Sequence, residues 1–267
     1  QMYDYKGNII YQYPINIESN DLFFYVMPDD KLLVLTTNGY LTTFYAGREI
    51  SQKSITDQNV CIRAAEIWDD GVVFITDEMI VYYAPSFENP RIIQNIKSYT
   101  SIIDHMKVII PSDQNELTIF VSYSSKDLLI VKENEITSKV ILPNYDIVNF
   151  SINSDYKFIS FLLTSGYDIA IQIDNCELNA FLPTCYLPMT DKNLLQFNWV
   201  GSSFPIITFE DSVQVALNDN KLHEMSKDRY PFSGNSWVFQ SSTYSLVFSS
   251  GSLFKLSLVN DDLFESL

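Results

Sequence analysis

The stretch from 65 to 93 decides how this chain is read. It runs Ala65-Glu66-Ile67-Trp68, a turn at Asp69-Asp70-Gly71, Val72-Val73-Phe74-Ile75, a turn at Asp77-Glu78, Val81-Tyr82-Tyr83, and finally Arg91-Ile92-Ile93. Each run is rich in β-branched and aromatic residues and too short for a typical helix, so the four runs read as four successive strands. The polar residues between the second and third runs supply what a tight hairpin needs.

The central hairpin of that stretch recurs along the whole chain. Its other copies are Leu32-Leu33-Val34-Leu35 to Phe44-Tyr45, Thr118-Ile119-Phe120-Val121 to Leu128-Leu129-Ile130-Val131, and Phe158-Ile159-Ser160-Phe161 to Ile169-Ala170-Ile171. Two more are Pro205-Ile206-Ile207-Thr208-Phe209 to Val213-Gln214-Val215 and Ser245-Leu246-Val247-Phe248 to Phe254-Lys255-Leu256. Starts at 32, 72, 118, 158, 205 and 245 are separated by 40, 46, 40, 47 and 40 residues. That spacing is close to the period of a four-stranded propeller blade, roughly 40 to 45 residues. Turns at Thr36-Thr37-Asn38-Gly39, Ser124-Ser125-Lys126-Asp127, Ser165-Gly166, Glu210-Asp211 and Ser249-Ser250-Gly251 tolerate the backbone that hairpins require.

Upstream of each hairpin an inner strand is expected at 23–26, 65–68, 102–106, 147–150, 195–199 and 236–239. Downstream, shorter and more polar outer strands are expected at 49–51, 91–93, 136–141, 178–182, 221–223 and 263–264, as befits sheet edges. Before them, Met2-Tyr3-Asp4-Tyr5 and Asn8-Ile9-Ile10-Tyr11-Gln12-Tyr13 read as the last two strands of another unit, turning at Lys6-Gly7. The expectation is an all-β, seven-bladed β-propeller of WD40-like type whose first blade is incomplete. Two packed β-sandwiches use similar strands but have no reason to hold a constant period. No Gly-, Ser- or Pro-rich linker interrupts the series, so residues 1–267 are expected to form one domain. The opening residues read as a cut into something longer, without the basic and apolar regions of a secretory signal.

Composition narrows the function. Hydrophobic residues make up 46% of the 267 and charged residues 19%, enough for a core and too few charges for a disordered chain. Seventeen Lys and Arg against 33 Asp and Glu leave a net charge of −16. Such a chain repels phosphate backbones and anionic headgroups, which argues against nucleic-acid partners and electrostatic membrane docking. No run approaches the roughly 18 apolar residues of a membrane span.

Candidate chemistry is sparse. Cys61, Cys176 and Cys185 form no Cys-x-x-Cys pair, so neither a disulfide framework nor structural zinc is expected, and they read as buried thiols in strands. A bridge between Cys176 and Cys185 is the alternative. His105 and His223 fall in different units and read as strand residues rather than a shared catalytic pair. Acidic pairs at Asp29-Asp30, Asp69-Asp70, Glu210-Asp211 and Asp261-Asp262 fall at expected turns, and read as turn formers rather than a glycosidase couple. The sequon Asn149-Phe150-Ser151 sits at an inner-strand end, where a glycan has no room. Trp68, Trp199 and Trp237 recur at inner-strand ends, as packing residues rather than a ligand cage. No Gly-x-x-x-x-Gly-Lys loop or calcium loop occurs. The expectation is no catalytic, metal or cofactor site, and no enzyme.

Several strings also resemble a known family. Gln1-Met2-Tyr3-Asp4-Tyr5-Lys6-Gly7-Asn8-Ile9-Ile10 is similar to the opening of the amino-terminal domain of the vacuolar protein sorting subunit sixteen family, a class C core protein, which reads "I-Q-x-Y-x-x-x-G-x-L-L". Ile67-Trp68-Asp69-Asp70-Gly71-Val72-Val73 resembles that family's "I-W-x-x-x-G-I". Phe197-Asn198-Trp199-Val200-Gly201 with Phe209-Glu210-Asp211 resembles its "W-C-G … F-E-D", and Arg229-Tyr230-Pro231-Phe232 its "W-Y-P-F", with Arg in place of Trp. The order is kept through nearly the whole chain. The resemblance implies a propeller domain of the HOPS and CORVET tethering complexes, which support SNARE-mediated fusion at endosomal and vacuolar or lysosomal membranes. It implies no reaction, a cytoplasmic protein peripheral on those membranes, and other class C subunits as partners. In that family a downstream α-solenoid engages a Sec1/Munc18 protein. This sequence ends before such a segment, so no binding residue is carried over. Propellers of clathrin-like coats or nucleoporin-like pores share the same blades and stay open as alternatives.

Overall fold

A computed structural model describes residues 2–3, 9–11, 22–27, 29–56, 60–179, 185–188, 194–200, 204–209, 213–216, 222–224, 237–240, 245–249, 252–259 and 262–265. Those residues form strands, turns and bends and no helix. Backbone contacts divide the chain into two compact units.

The first unit opens with β1 (Met2–Tyr3) and β2 (Ile9–Tyr11), an antiparallel pair, and continues into three four-stranded antiparallel meanders. These are β3 (Leu22–Val26), β4 (Leu32–Thr36), β5 (Tyr40–Tyr45) and β6 (Arg48–Ser54), then β7 (Ile62–Trp68), β8 (Gly71–Thr76), β9 (Ile80–Pro85) and β10 (Arg91–Asn95), then β11 (His105–Ile109), β12 (Thr118–Tyr123), β13 (Asp127–Val131) and β14 (Ile136–Val140). The second unit repeats the meander three times. It holds β15 (Asp146–Ile152), β16 (Phe158–Thr164), β17 (Asp168–Asn175) and β18 (Cys185–Pro188), then β19 (Leu194–Val200), β20 (Phe204–Phe209), β21 (Val213–Ala216) and β22 (Leu222–Glu224), then β23 (Trp237–Gln240), β24 (Ser245–Ser249), β25 (Ser252–Val259) and β26 (Asp262–Glu265). Six four-stranded sheets and one two-stranded sheet are thus the elements that the repeat spacing leads one to expect.

Strand chemistry explains the stacking of the sheets. All six residues of β8 are buried, a pattern that requires cover on both faces. The alternation of side chains provides it: Val72 and Phe74 join a core with Leu33 and Leu35 of β4, while Val73 and Ile75 join another with Ile119 and Val121 of β12. One sheet is therefore sandwiched between its two neighbours. In the second unit Leu162 and Ile171 pack with Phe197, Ile207 and Phe209, joining two successive sheets in the same way. First strands of successive sheets approach one another, β3 to β7 to β11 in one unit and β15 to β19 to β23 in the other. The fourth strand of the first of these sheets lies open, every residue of β6 being exposed.

Three expectations need correction. The inner strand expected at 102–106 begins at His105, because the Thr100 hydroxyl donates to the Ile102 carbonyl at 2.6 Å and accepts from its N–H at 2.9 Å. That side-chain turn keeps Ile102 out of the ladder. The outer strand expected at 178–182 is instead β18, at Cys185–Pro188. After β17 the chain turns back: Leu178 has a φ of +55°, its N–H donates to the Asn175 carbonyl, and the Asn179 N–H donates to Asn175 Oδ1. Cys61 and Cys176 are half-buried free thiols in connecting segments, not strand residues.

Candidate interaction surface

The three first strands of the first unit, β3, β7 and β11, line a cleft of about 440 Å³. Glu66 is its central feature and the sole carboxylate that these three strands carry. On β7, Ala65 and Ile67 pack toward β4, so the neighbouring side chain of Glu66 turns toward β11. There its Oε1 lies 4.0 Å from the Lys107 ammonium, beyond hydrogen-bond length. Its Oε2 is shielded from solvent and has no hydrogen-bond partner. The side chain as a whole keeps 29% of its surface exposed, against 42% for Lys107. Burial therefore pushes the Glu66 carboxyl above the ordinary carboxylate range, opposed by the Lys107 charge and a backbone hydrogen bond from Val108. Phe24, on the cleft wall, is 56% exposed.

A hydrogen bond ties the cleft to the rest of the unit. The Tyr25 hydroxyl donates to Asp69 Oδ1 at 2.7 Å, linking β3 to the turn between β7 and β8. That bond gives Asp69 a structural task, in keeping with the reading of Asp69-Asp70 as turn formers. Asp29 and Asp30 also lie in a turn, where Lys31 pairs with Asp29 and holds its carboxyl below the usual range. Asp262 opens β26, while Glu210, Asp211 and Asp261 lie outside the described residues. Glu66 and Lys107 escaped the sequence reading, although they stand 41 residues apart, one blade period, as opposite charges in two otherwise largely apolar inner strands.

The remaining candidates fall into structural places. Trp68 closes β7, is buried and stacks on Tyr83 at 5.9 Å between centroids. Trp199 is buried in β19 and its indole N–H donates to the Ser151 carbonyl at 3.0 Å, bonding one sheet to the next. Trp237 opens β23. His105 starts β11, its backbone N–H donating to Ser122 Oγ, and His223 lies in β22. Asn149 sits in the middle of β15, not at its end. Cys176 has its thiol pushed up to about 12, by burial first and then by the nearby Asp155 and Asp174 charges. Among the described residues no group of three His, Cys, Asp or Glu side chains is placed to hold a metal ion, and no helix is long and apolar enough to cross a membrane.

No family model matches the chain, and no curated protein matches its sequence. Solved structures do match its fold. The WD40 beta propeller domain of Doa1 is similar with a TM-score of 0.55 at 12% identity, over 84% of this chain and 74% of that one. The complex of KlAtg21 with the coiled-coil of AgAtg16 gives a TM-score of 0.63 at 9% identity, over 97% of this chain and 89% of that one. BBS1N, in its complex with ARL6DN, gives 0.59 at 13%, over 89% and 77%. At such identities the likeness speaks for fold alone. Six four-stranded meanders, one two-stranded sheet and these likenesses make this chain an all-β protein of β-propeller fold with an incomplete first blade.

Proposed function

We propose that the chain is a non-enzymatic interaction scaffold, and more specifically a propeller domain of the HOPS and CORVET type of tethering complex. The observation that carries the scaffold reading is the propeller fold, shared with KlAtg21 in its complex with the coiled-coil of AgAtg16 and with BBS1N in its complex with ARL6DN. Large apolar side chains are also held in the open, among them Tyr167 in the turn before β17, which is 84% exposed. The class C assignment rests on the ordered strings from Gln1 to Phe232. In this role the domain presents shaped surfaces to other class C subunits, and its charge of −16 disfavours anionic lipid while favouring basic partner patches. The corresponding location is cytoplasmic, peripheral on endosomal and vacuolar or lysosomal membranes.

Affinity purification of the natural full-length protein from its own cells, with cross-linking mass spectrometry, tests this reading. Recovery of a Sec1/Munc18 protein with other class C subunits, cross-linked to lysines within 1–267, is the expected result. Recovery of coat or pore components alone overturns the tethering assignment and keeps the scaffold.

A further inference from the structure

We infer that the cleft between β3, β7 and β11 is a receptor for an arginine side chain carried by a partner segment, with Glu66 as its acceptor. The inference deepens the scaffold reading and rests on it. Its starting point is an imbalance: Glu66 Oε2 is buried without a donor, and Lys107 stands 4.0 Å from Oε1, beyond hydrogen-bond length, so the Val108 N–H is the one donor that the carboxylate has. Buried acceptors of this kind normally have a partner. Lys107, by contrast, is 42% exposed and can take its hydrogen bonds from water. What the cleft lacks is therefore a donor with positive charge, not a second anion. A guanidinium suits this need, because it brings a permanent charge and several N–H donors to the edge of the carboxylate that the cleft leaves open.

The walls suit the rest of such a side chain. Phe24 leaves 56% of its surface open, a face on which a guanidinium or its methylene stem can lie. Met106, from β11, lines the cleft and adapts to irregular aliphatic shapes. At about 440 Å³ the space falls within the range of small-ligand sites and exceeds what one water molecule fills. The charge of −16 draws basic segments toward the domain before any contact forms.

The test uses the intact 267-residue chain labelled with ¹³C at glutamate carboxyls. The probes are N-acetyl-arginine methylamide and its uncharged citrulline analogue, followed by NMR. The expected result is a saturable shift of the Glu66 carboxyl resonance with the arginine compound, at a dissociation constant of about 1 to 10 mM, and no shift with citrulline. Glu66→Gln abolishes binding, followed in that variant by line broadening of the arginine compound's own resonances, and Phe24→Ala weakens it about threefold or more. Lys107→Met tightens it by a similar factor, since an internal competitor for the carboxylate is gone. An unmoved Glu66 resonance up to about 50 mM probe, or an equal response to citrulline, overturns the inference. So does unchanged binding in Glu66→Gln. Such a failure leaves the scaffold reading intact, because cross-links to class C subunits through other surfaces are scored separately.

Discussion

Burial makes both Glu66 and Cys176 hold their protons to higher pH, which bears on stability in the first case and on reactivity in the second. For Glu66 the sign follows from its raised pKa. The unfolded chain loses this proton near the ordinary value of 4.5, while the folded chain holds it to higher pH. Between those values the folded state binds more protons, so the group's contribution to stability falls as pH rises through that window. Glu66→Gln removes the titration. Urea unfolding is expected to show no difference between the two proteins at about pH 4, and the variant more stable at pH 7. A wild type equal to the variant at both pH values would remove the case for a shielded carboxyl. For Cys176, a thiol pushed up to about 12 leaves almost no thiolate at pH 8. A thiol-specific disulfide reagent is expected to label Cys61 in the native protein and to spare Cys176 until denaturant is added, as peptide mapping would read directly.

Turns, more than strands, set where each sheet begins and ends. Gly39 has a φ of +80°, and a Cβ placed on it meets Thr56 Oγ1 at 2.0 Å. Its carbonyl also accepts from the Ile55 N–H at 2.9 Å, fastening the β4–β5 turn to the segment after β6. Gly39→Ala combines left-handed strain with that clash, and is expected to destabilise the fold by roughly 1 to 3 kcal/mol in denaturant unfolding. Asn153 does comparable work between β15 and β16. It is buried, and its Oδ1 accepts from the N–H groups of Lys157 and Phe158 at 3.0 and 2.9 Å. Asn153→Ala strands two backbone donors and should cost about 2 to 3 kcal/mol, whereas Asn153→Asp keeps the acceptor and should lose less. Such residues mark the boundary of what the sequence makes legible. The hairpins at 32–45, 72–83 and 118–131 are evident because β-branched and aromatic runs announce buried strands. The inner strand at 102–106 was misplaced because Thr100 captures the backbone of Ile102, and a single hydroxyl leaves no trace in hydrophobic periodicity. The outer strand expected at 178–182 failed for a similar reason, at Asn175. Left-handed Met79, buried after Asp77-Glu78, is another local conformation that residue type does not disclose. Glu66 and Lys107 were visible as letters, but their meeting depends on which faces of β7 and β11 adjoin, and that only the stacked sheets reveal.

At the scale of the molecule, charge separates the ways in which such a scaffold can reach a membrane. A propeller that docks on anionic lipid directly needs a basic patch to do so, with each Lys or Arg near the surface contributing about 1 kcal/mol. This chain carries 33 acidic against 17 basic residues, so its long-range field opposes approach to a negative leaflet. Several of its basic side chains are also engaged: Lys31 with Asp29, Lys53 with Glu88, Arg91 with Glu133, Lys132 with Glu116 and Lys157 with Asp155. Exposed pairs of this kind add little stability, but they neutralise positive charge locally. Recruitment through partner proteins, as the tethering reading has it, escapes this repulsion. Co-sedimentation with vesicles containing about 30% phosphatidylserine distinguishes the two routes at physiological salt. The isolated chain is expected to stay in the supernatant, and to remain there when salt is lowered, because weaker screening strengthens the repulsion. A basic class C partner should show the reverse dependence, with an association rate that rises as salt falls. Tight binding of the chain alone to such vesicles at physiological salt would end the argument that its acidity keeps it off the bilayer, and would require a concentrated basic surface that outweighs a net charge of −16.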